Sequence, residues 1–460
     1  MHAPFDIVAD LDTPVSAYLK LGSLKPRFLL ESVEGGERLA RYSFLGFGDA
    51  VEVRMDAESL SIDGRKEARP TNQEQYLDAL RRALAIAPRP QPADGLPFAG
   101  GLVGVSGYDV VRLFENLPVD TEKQTGVPDA AFMAPASLLV FDHLTRRVAL
   151  LHDGPEDVRQ RLKSEVIQLL RGAVPSAPQN VTVSAAEASM TDAAFSERVA
   201  ACKEYIASGD IYQIVLSVLF RGSTDVPPFE VYRALRLLNP SPYMFFFDFD
   251  DLKVVGSSPE ALVKLHGQKA TLRPIAGTLP RGATGEDDLA NEAALLADPK
   301  EAAEHVMLVD LARNDLGRVA KAGTVKVDPY RAIERYSHVM HIVSGVEGEL
   351  AAGFDQFDLF AASFPAGTLV GAPKVRAMQI IEEMEQVGRG LYAGTAGYFG
   401  LSGDMDQAIT IRTLVFAGGE YSFQAGAGIV ADSVPAKEYQ EVLAKSAILR
   451  RALEIAEAGL

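Results

Sequence analysis

What most constrains the fold of this chain is the order of its strand-like and helix-like runs. Alternating apolar positions at 136–142 and 147–152 flank a short polar break, as in a hairpin. Strand-like runs also neighbour one another at 27–32 and 42–47, at 243–249 and 253–255, and at 408–416 and 420–425. Helical spacing falls between these groups, for example at 74–87, where Leu77, Leu80 and Leu84 share a face, and at 158–170, 193–208 and 373–384. Paired strands with helices between the groups predict an α+β chain with a mixed or antiparallel core, not a doubly wound parallel sheet. A segment rich in Ala, Ser and Pro at 172–192 divides the pattern. It predicts an N-terminal region at 1–185 and a second region at 186–460.

At 460 residues the chain can bury a large core. Its formal charge of −17 argues against general affinity for nucleic acid or an anionic membrane, so an anionic substrate must be held by local arginines, backbone N–H groups or a metal. The single cysteine, Cys202, excludes an internal disulfide and a Cys₄ zinc site. No basic start followed by an apolar run opens the chain, and no window approaches 18 continuous apolar residues, so a cytoplasmic location is expected.

The stretch 424–441, QAGAGIVADSVPAKEYQE, concentrates chemistry. A strand end is expected there, then a close backbone approach at Gly426 and Gly428, then a helix start at Asp432, Ser433 and Pro435. Glu438, Glu441 and Lys445 fall at i, i+3 and i+7 on one helix face. Two carboxylates so placed suit a hard cation such as Mg²⁺. A solvated helix face above an ordinary turn has the same pattern. Polar residues also interrupt apolar runs elsewhere: Glu304 before Val306–Val309, Arg412 within 409–415, His341 within 339–343, and Glu260 after a Ser-Ser-Pro turn. One such residue is usually a paired or edge-facing side chain, and lone histidines such as His338 and His341 more often satisfy backbone. Several together point to a cleft holding acids, a cation and cation-binding carboxylates.

RPIAGTLPRG (273–282), AEHVMLVDLARND (303–315), ERYSHVMHIVSGVEG (334–348), FPAGTLVGAPKVRAM (364–378), DQAITIRT (406–413) and the 424–441 stretch resemble, in this order, the chorismate-utilising enzymes. FLLESVEGGE–RYSFLGFG (28–48) and NPSPYMFF (239–246) narrow the resemblance to the anthranilate synthase large-subunit branch, nearly end to end.

That resemblance implies two facing antiparallel sheets with helices outside and a chorismate site between them. It implies Mg²⁺ ligated by Glu304 and Glu438, with Glu441 nearby. Arg412 and Tyr392 match positions that hold the enolpyruvyl carboxylate, and Thr368, Gly426, Ala427 and Gly428 match the pocket for the ring carboxylate. Glu260 matches a general acid for departure of the C4 hydroxyl, and His341 lies beside the ring. Gln213 stands where water-adding relatives carry a lysine base, and glutamine cannot deprotonate water. Ala276 stands where aminodeoxychorismate synthases usually carry a nucleophilic lysine. The expectation is therefore Mg²⁺-dependent lyase chemistry, with ammonia attack at C2 and loss of pyruvate to give anthranilate. Leu279, Val370 and Val218-Leu219 depart from the family pattern, each putting an apolar group where a polar one is usual.

Cys202 lies in an expected helix without a glycine elbow and reads as a small buried hydrophobe, so the resemblance implies a separate glutamine amidotransferase subunit. It also implies a tryptophan feedback site from Leu30, Glu31 and Ser32 with Pro240, Tyr243 and Met244. Glu31 would receive the ammonium, and Pro240, Tyr243 and Met244 would wall the indole. The alternatives are a relative that stops at aminodeoxychorismate or amino-deoxyisochorismate, and a non-catalytic tryptophan-sensing subunit.

Overall fold

The computed structural model describes all residues except 1–4, 9, 34–40, 93–94, 120, 125 and 336–338. Residues 34–40 of the FLLESVEGGE–RYSFLGFG motif and His338 thus lie outside the described residues. Every ladder between described strands is antiparallel. The chain is α+β, as the run order predicts. Among the described residues, hydrogen bonding passes continuously through 21 strands, and three more form a separate small sheet.

This network spans both expected regions. The strand Pro26–Glu31 pairs with Tyr243–Asp248, and Gly101–Ser106 pairs with Thr395–Gly400. The intervening segment at 172–191 carries only the short strand Glu187–Ala188. Long helices pack on the strands by their apolar faces. Pro435–Ala458 buries Val442, Leu449 and Leu453, and Pro228–Leu238 buries Val231, Tyr232 and Leu235. Local chemistry starts several helices where the sequence suggests. Thr13 and Thr284 each close a capping box on the following helix.

Three local expectations change. The run at 408–416 is two strands, Met405–Ile409 and Thr413–Ala417, separated by a break that holds Arg412 at φ +49°. The apolar run that holds His341 is the strand Val339–Val343, and Val346–Glu349 follows it as a separate strand. The first of these joins Ile275–Pro280 and Ala332–Arg335 in the three-stranded sheet. In the 424–441 stretch, Gly426 and Gly428 lie inside the strand Glu420–Ile429 and not in a turn after it. The next helix begins after Val434, with no side-chain cap, because the Ser433 hydroxyl accepts the Val430 N–H at 3.1 Å.

The three departures from the family pattern find apolar surroundings. Val218 and Val370 are fully buried, Leu219 nearly so, and Leu279 packs beside Leu295, Met340 and Ile342.

Candidate active site

A cleft of about 650 Å³ opens between the three-stranded sheet, the start of helix Pro435–Ala458 and the adjoining strands of the large network. The strand Gln213–Ser223 presents Gln213 and Val215 to it, two residues apart on one face. Its partner Glu420–Ile429 presents Gln424, Gly426 and Gly428 from the facing register. A Cβ on Gly426 would lie 2.7 Å from both the Leu216 carbonyl oxygen and the Tyr392 hydroxyl. Only glycine lets that strand and that phenol share the wall.

Glu260 follows the strand Leu252–Ser258, and its carbonyl accepts the Ile409 N–H at 3.0 Å. The Arg412 carbonyl accepts the Ser257 N–H at 3.1 Å. The break between Met405–Ile409 and Thr413–Ala417 therefore sets Arg412 beside Glu260, and both line the cleft. Thr368, in the short helix Gly367–Val370, donates to Glu260 Oε1 at 3.0 Å. Burial pushes the Glu260 carboxyl up to about 7, against the Thr368 hydrogen bond and the positive charges of Arg412 and Lys445. A carboxyl poised there can give up a proton near neutral pH.

Glu304 lies on the helix Pro299–Gly317, and Glu438 and Glu441 lie on the first turns of Pro435–Ala458. All three line the cleft. Glu441 is engaged with Lys445 at 2.7 Å. The Gln213 amide nitrogen donates to Glu304 Oε1 at 3.5 Å, while its buried Oε1 has no hydrogen-bond partner. Among the described residues no cluster of three or more His, Cys, Asp or Glu could hold a metal by itself. Mg²⁺ fits such a donor set, because it binds through one or two carboxylates and keeps its other positions for water and substrate oxygens.

Two of the expected residues stand differently. Ala427 points into the main core and is fully buried. His341 is one strand removed: its Nδ1 lies 2.9 Å from Thr278 Oγ1 and 3.3 Å from the Gly277 carbonyl oxygen, and these two neighbours line the cleft. Sequence reasoning overlooked Thr278 and Glu301. Glu301 precedes Glu304 by three residues on the same helix, a spacing that could have revealed it. Burial and the Glu304 charge push its carboxyl up.

With this geometry in view, the profile of the chorismate binding enzyme family matches residues 25–451. The chain belongs to that family. The matched span contains every candidate residue of the cleft. Within the family the chain is similar to "Anthranilate synthase component 1" of Thermus thermophilus, 46% identical over 98% of each chain. It is also similar to the protein of that name from Aquifex aeolicus, 44% identical over 98% of this chain and 94% of the relative. The solved structure of anthranilate synthase component I from Streptococcus pneumoniae superposes with a TM-score of 0.81 at 34% identity, covering 98% of this chain and 100% of that one.

The second expected site lies away from the cleft. Leu30 and Glu31 end the strand that pairs with Tyr243–Asp248, in the register Met244 opposite Glu31 and Phe245 opposite Leu30. The Val33 N–H donates to the Ser241 carbonyl at 3.1 Å, which brings Ser32 and Pro240 to the same edge. The Glu31 carboxylate accepts from the Tyr232 hydroxyl and from Arg236, whose Nε lies 2.9 Å away. An incoming ammonium would share that carboxylate with a guanidinium. No helix among the described residues is long and apolar enough to cross a membrane.

Proposed function

We propose that this chain is an anthranilate synthase component I, a cytoplasmic enzyme converting chorismate and ammonia to anthranilate and pyruvate for tryptophan biosynthesis. One observation carries the reading: a carboxyl held near 7, Glu260, shares a cleft with Arg412, Tyr392 and the Glu304 and Glu438 carboxylates.

Arg412 and Tyr392 would hold the enolpyruvyl carboxylate, and the glycine-lined strand would take the ring carboxylate on backbone N–H groups. Glu304 and Glu438 would hold Mg²⁺, which when bound supplies positive charge for a substrate carboxylate. Ammonia adds at C2, and the C4 hydroxyl leaves as water with the proton from Glu260. The added nitrogen then loses a proton, giving amino-deoxyisochorismate. Loss of the C2 proton, cleavage of the C3–O bond and protonation of the departing enolpyruvate then give pyruvate and the aromatic ring; we assign the C2 proton to His341, which reaches the cleft through Thr278 and Gly277. Ammonia comes from a glutamine amidotransferase subunit. The chain's own Cys202 supports this, being fully buried in the helix Asp192–Ala207 with its thiol pushed up to about 12 by burial. Tryptophan binding at Leu30–Ser32 and Pro240–Met244 would favour a less active arrangement.

Incubation with chorismate, ammonium and Mg²⁺, followed by separation of products, tests the assignment. Anthranilate and pyruvate in equal amounts are expected. Amino-deoxyisochorismate alone would favour the truncated reaction, isochorismate would favour water addition, and no turnover would favour a tryptophan-sensing subunit.

A further inference from the structure

Behind the cleft wall lies an ion pair that the chemistry above does not use. Arg389 and Glu385 are both buried. They are joined by two hydrogen bonds, Nε to Oε2 at 2.9 Å and Nη2 to Oε1 at 2.7 Å. Removing two charges from water costs so much that an apolar pair of similar size would often stabilise a fold as well or better. Stability alone therefore does not account for the pair, and what else it holds becomes informative.

Its remaining bonds run to the cleft. Arg389 Nη1 donates to the Leu369 carbonyl at 2.7 Å, and Nη2 donates to the Val215 carbonyl at 2.8 Å. The guanidinium carbon sits 5.6 Å from the ring centre of Tyr392 and 5.0 Å from that of Tyr108. Glu385 Oε1 accepts the Ser217 N–H at 2.8 Å and its hydroxyl at 2.7 Å, and Ser217 in turn accepts from the Gln424 amide at 2.8 Å. Val215, Leu369, Tyr392 and Gln424 all line the cleft, yet they belong to four separate segments. Leu369 also follows Thr368, the residue bonded to Glu260. An apolar pair could not hold two carbonyls and an aromatic face in one arrangement.

We infer that Glu385 and Arg389 are positioning residues, which lock the substrate wall of the cleft and, through Leu369 and Thr368, orient the Glu260 carboxyl. This rests on the functional reading above. The pair touches no reacting atom, and its effect is geometric.

The test compares Arg389→Lys, Glu385→Gln, Thr368→Val and the double variant Arg389→Lys/Thr368→Val, following anthranilate formation with ammonium as nitrogen source. Lysine keeps the charge but loses the planar fork that reaches both carbonyls and the carboxylate. Each single variant is expected to stay folded by circular dichroism. Arg389→Lys and Glu385→Gln should each lose about tenfold or more in kcat, with a raised KM for chorismate, because a small displacement of positioned groups is costly. The double variant should cost little more than its worse single, since both changes break one chain of contacts. Folded single variants with wild-type kcat and KM would overturn the inference. So would activity that falls only in proportion to the folded fraction, or single effects that multiply in the double variant. If Arg389→Lys fails to fold, the apolar pair Arg389→Met/Glu385→Leu decides. Folded but impaired supports positioning, whereas folded and active, or unfolded as well, assigns the pair to stability alone. A wild-type protein that makes no anthranilate would instead sink the functional reading.

Discussion

Thr368 donates its hydroxyl to Glu260 Oε1 at 3.0 Å, although the two residues stand 108 positions apart in the chain. The bond favours the ionised carboxylate, as do Arg412 and Lys445, while burial favours the neutral acid and wins. The acid of the cleft is thus set by a balance, and each side of it can be altered.

Glu260→Gln removes the proton donor while keeping size and shape. A loss of about 10²- to 10⁴-fold in kcat is expected, with KM for chorismate little changed. Steady-state rates check this, and an unchanged kcat would exclude the general-acid role.

The proposed general-acid role needs Glu260 protonated, so turnover should fall as pH rises through about 7. Thr368→Val deletes a hydrogen bond that lowers that value, so the falling limb should move to higher pH. A pH–rate profile of the two proteins, with the same buffer ions, reads the shift directly. A limb that moves the other way would contradict the assigned balance.

On the proposed Mg²⁺ site, Glu304→Gln and Glu438→Gln should each nearly abolish Mg²⁺-dependent turnover, since each would lose charge and a ligand oxygen together. Glu441→Gln should cost much less, because that carboxylate is already paired with Lys445 at 2.7 Å. Titration of activity with Mg²⁺ would separate the three. Equal losses at all three positions would place the cation differently.

Gly426→Ala would drive a methyl to 2.7 Å from the Tyr392 hydroxyl and from the Leu216 carbonyl oxygen. The strand or the phenol must give way, and KM for chorismate should rise about tenfold or more with the fold retained. Binding measured by fluorescence titration checks it, and unchanged affinity would remove Tyr392 from the substrate wall.

Ser32→Arg should crowd the edge shared with Pro240 and relieve tryptophan inhibition with little loss of uninhibited activity. Inhibition curves of both proteins decide this. Equal sensitivity, or a wild type that tryptophan does not inhibit, would rule the site out.

Much of this protein is determined by its sequence alone. Period-two and period-3.6 patterns locate the hairpin at 136–152 and the helices that bury one apolar face, because those periods follow from backbone geometry within a few residues. The motif residues Glu260, Glu304, Arg412, Gly426 and Glu438 are recognisable for the same local reason, as polar or glycine positions set against apolar runs. Tertiary structure alone decides the rest. The break that turns Arg412 toward Glu260 exists because two neighbouring strands change partners there, from Ala261–His266 to Leu252–Ser258. Ile275–Pro280 becomes a strand only because Val339–Val343, some sixty residues on, supplies its ladder. Ala427 carries the same motif as its glycine neighbours, yet strand alternation turns it into the core. The Arg389–Glu385 pair reads locally as an ordinary i, i+4 contact at a helix end. What it holds, the carbonyls of Val215 and Leu369, comes from backbone that carries no side-chain signal and is brought there only by the packing of distant segments.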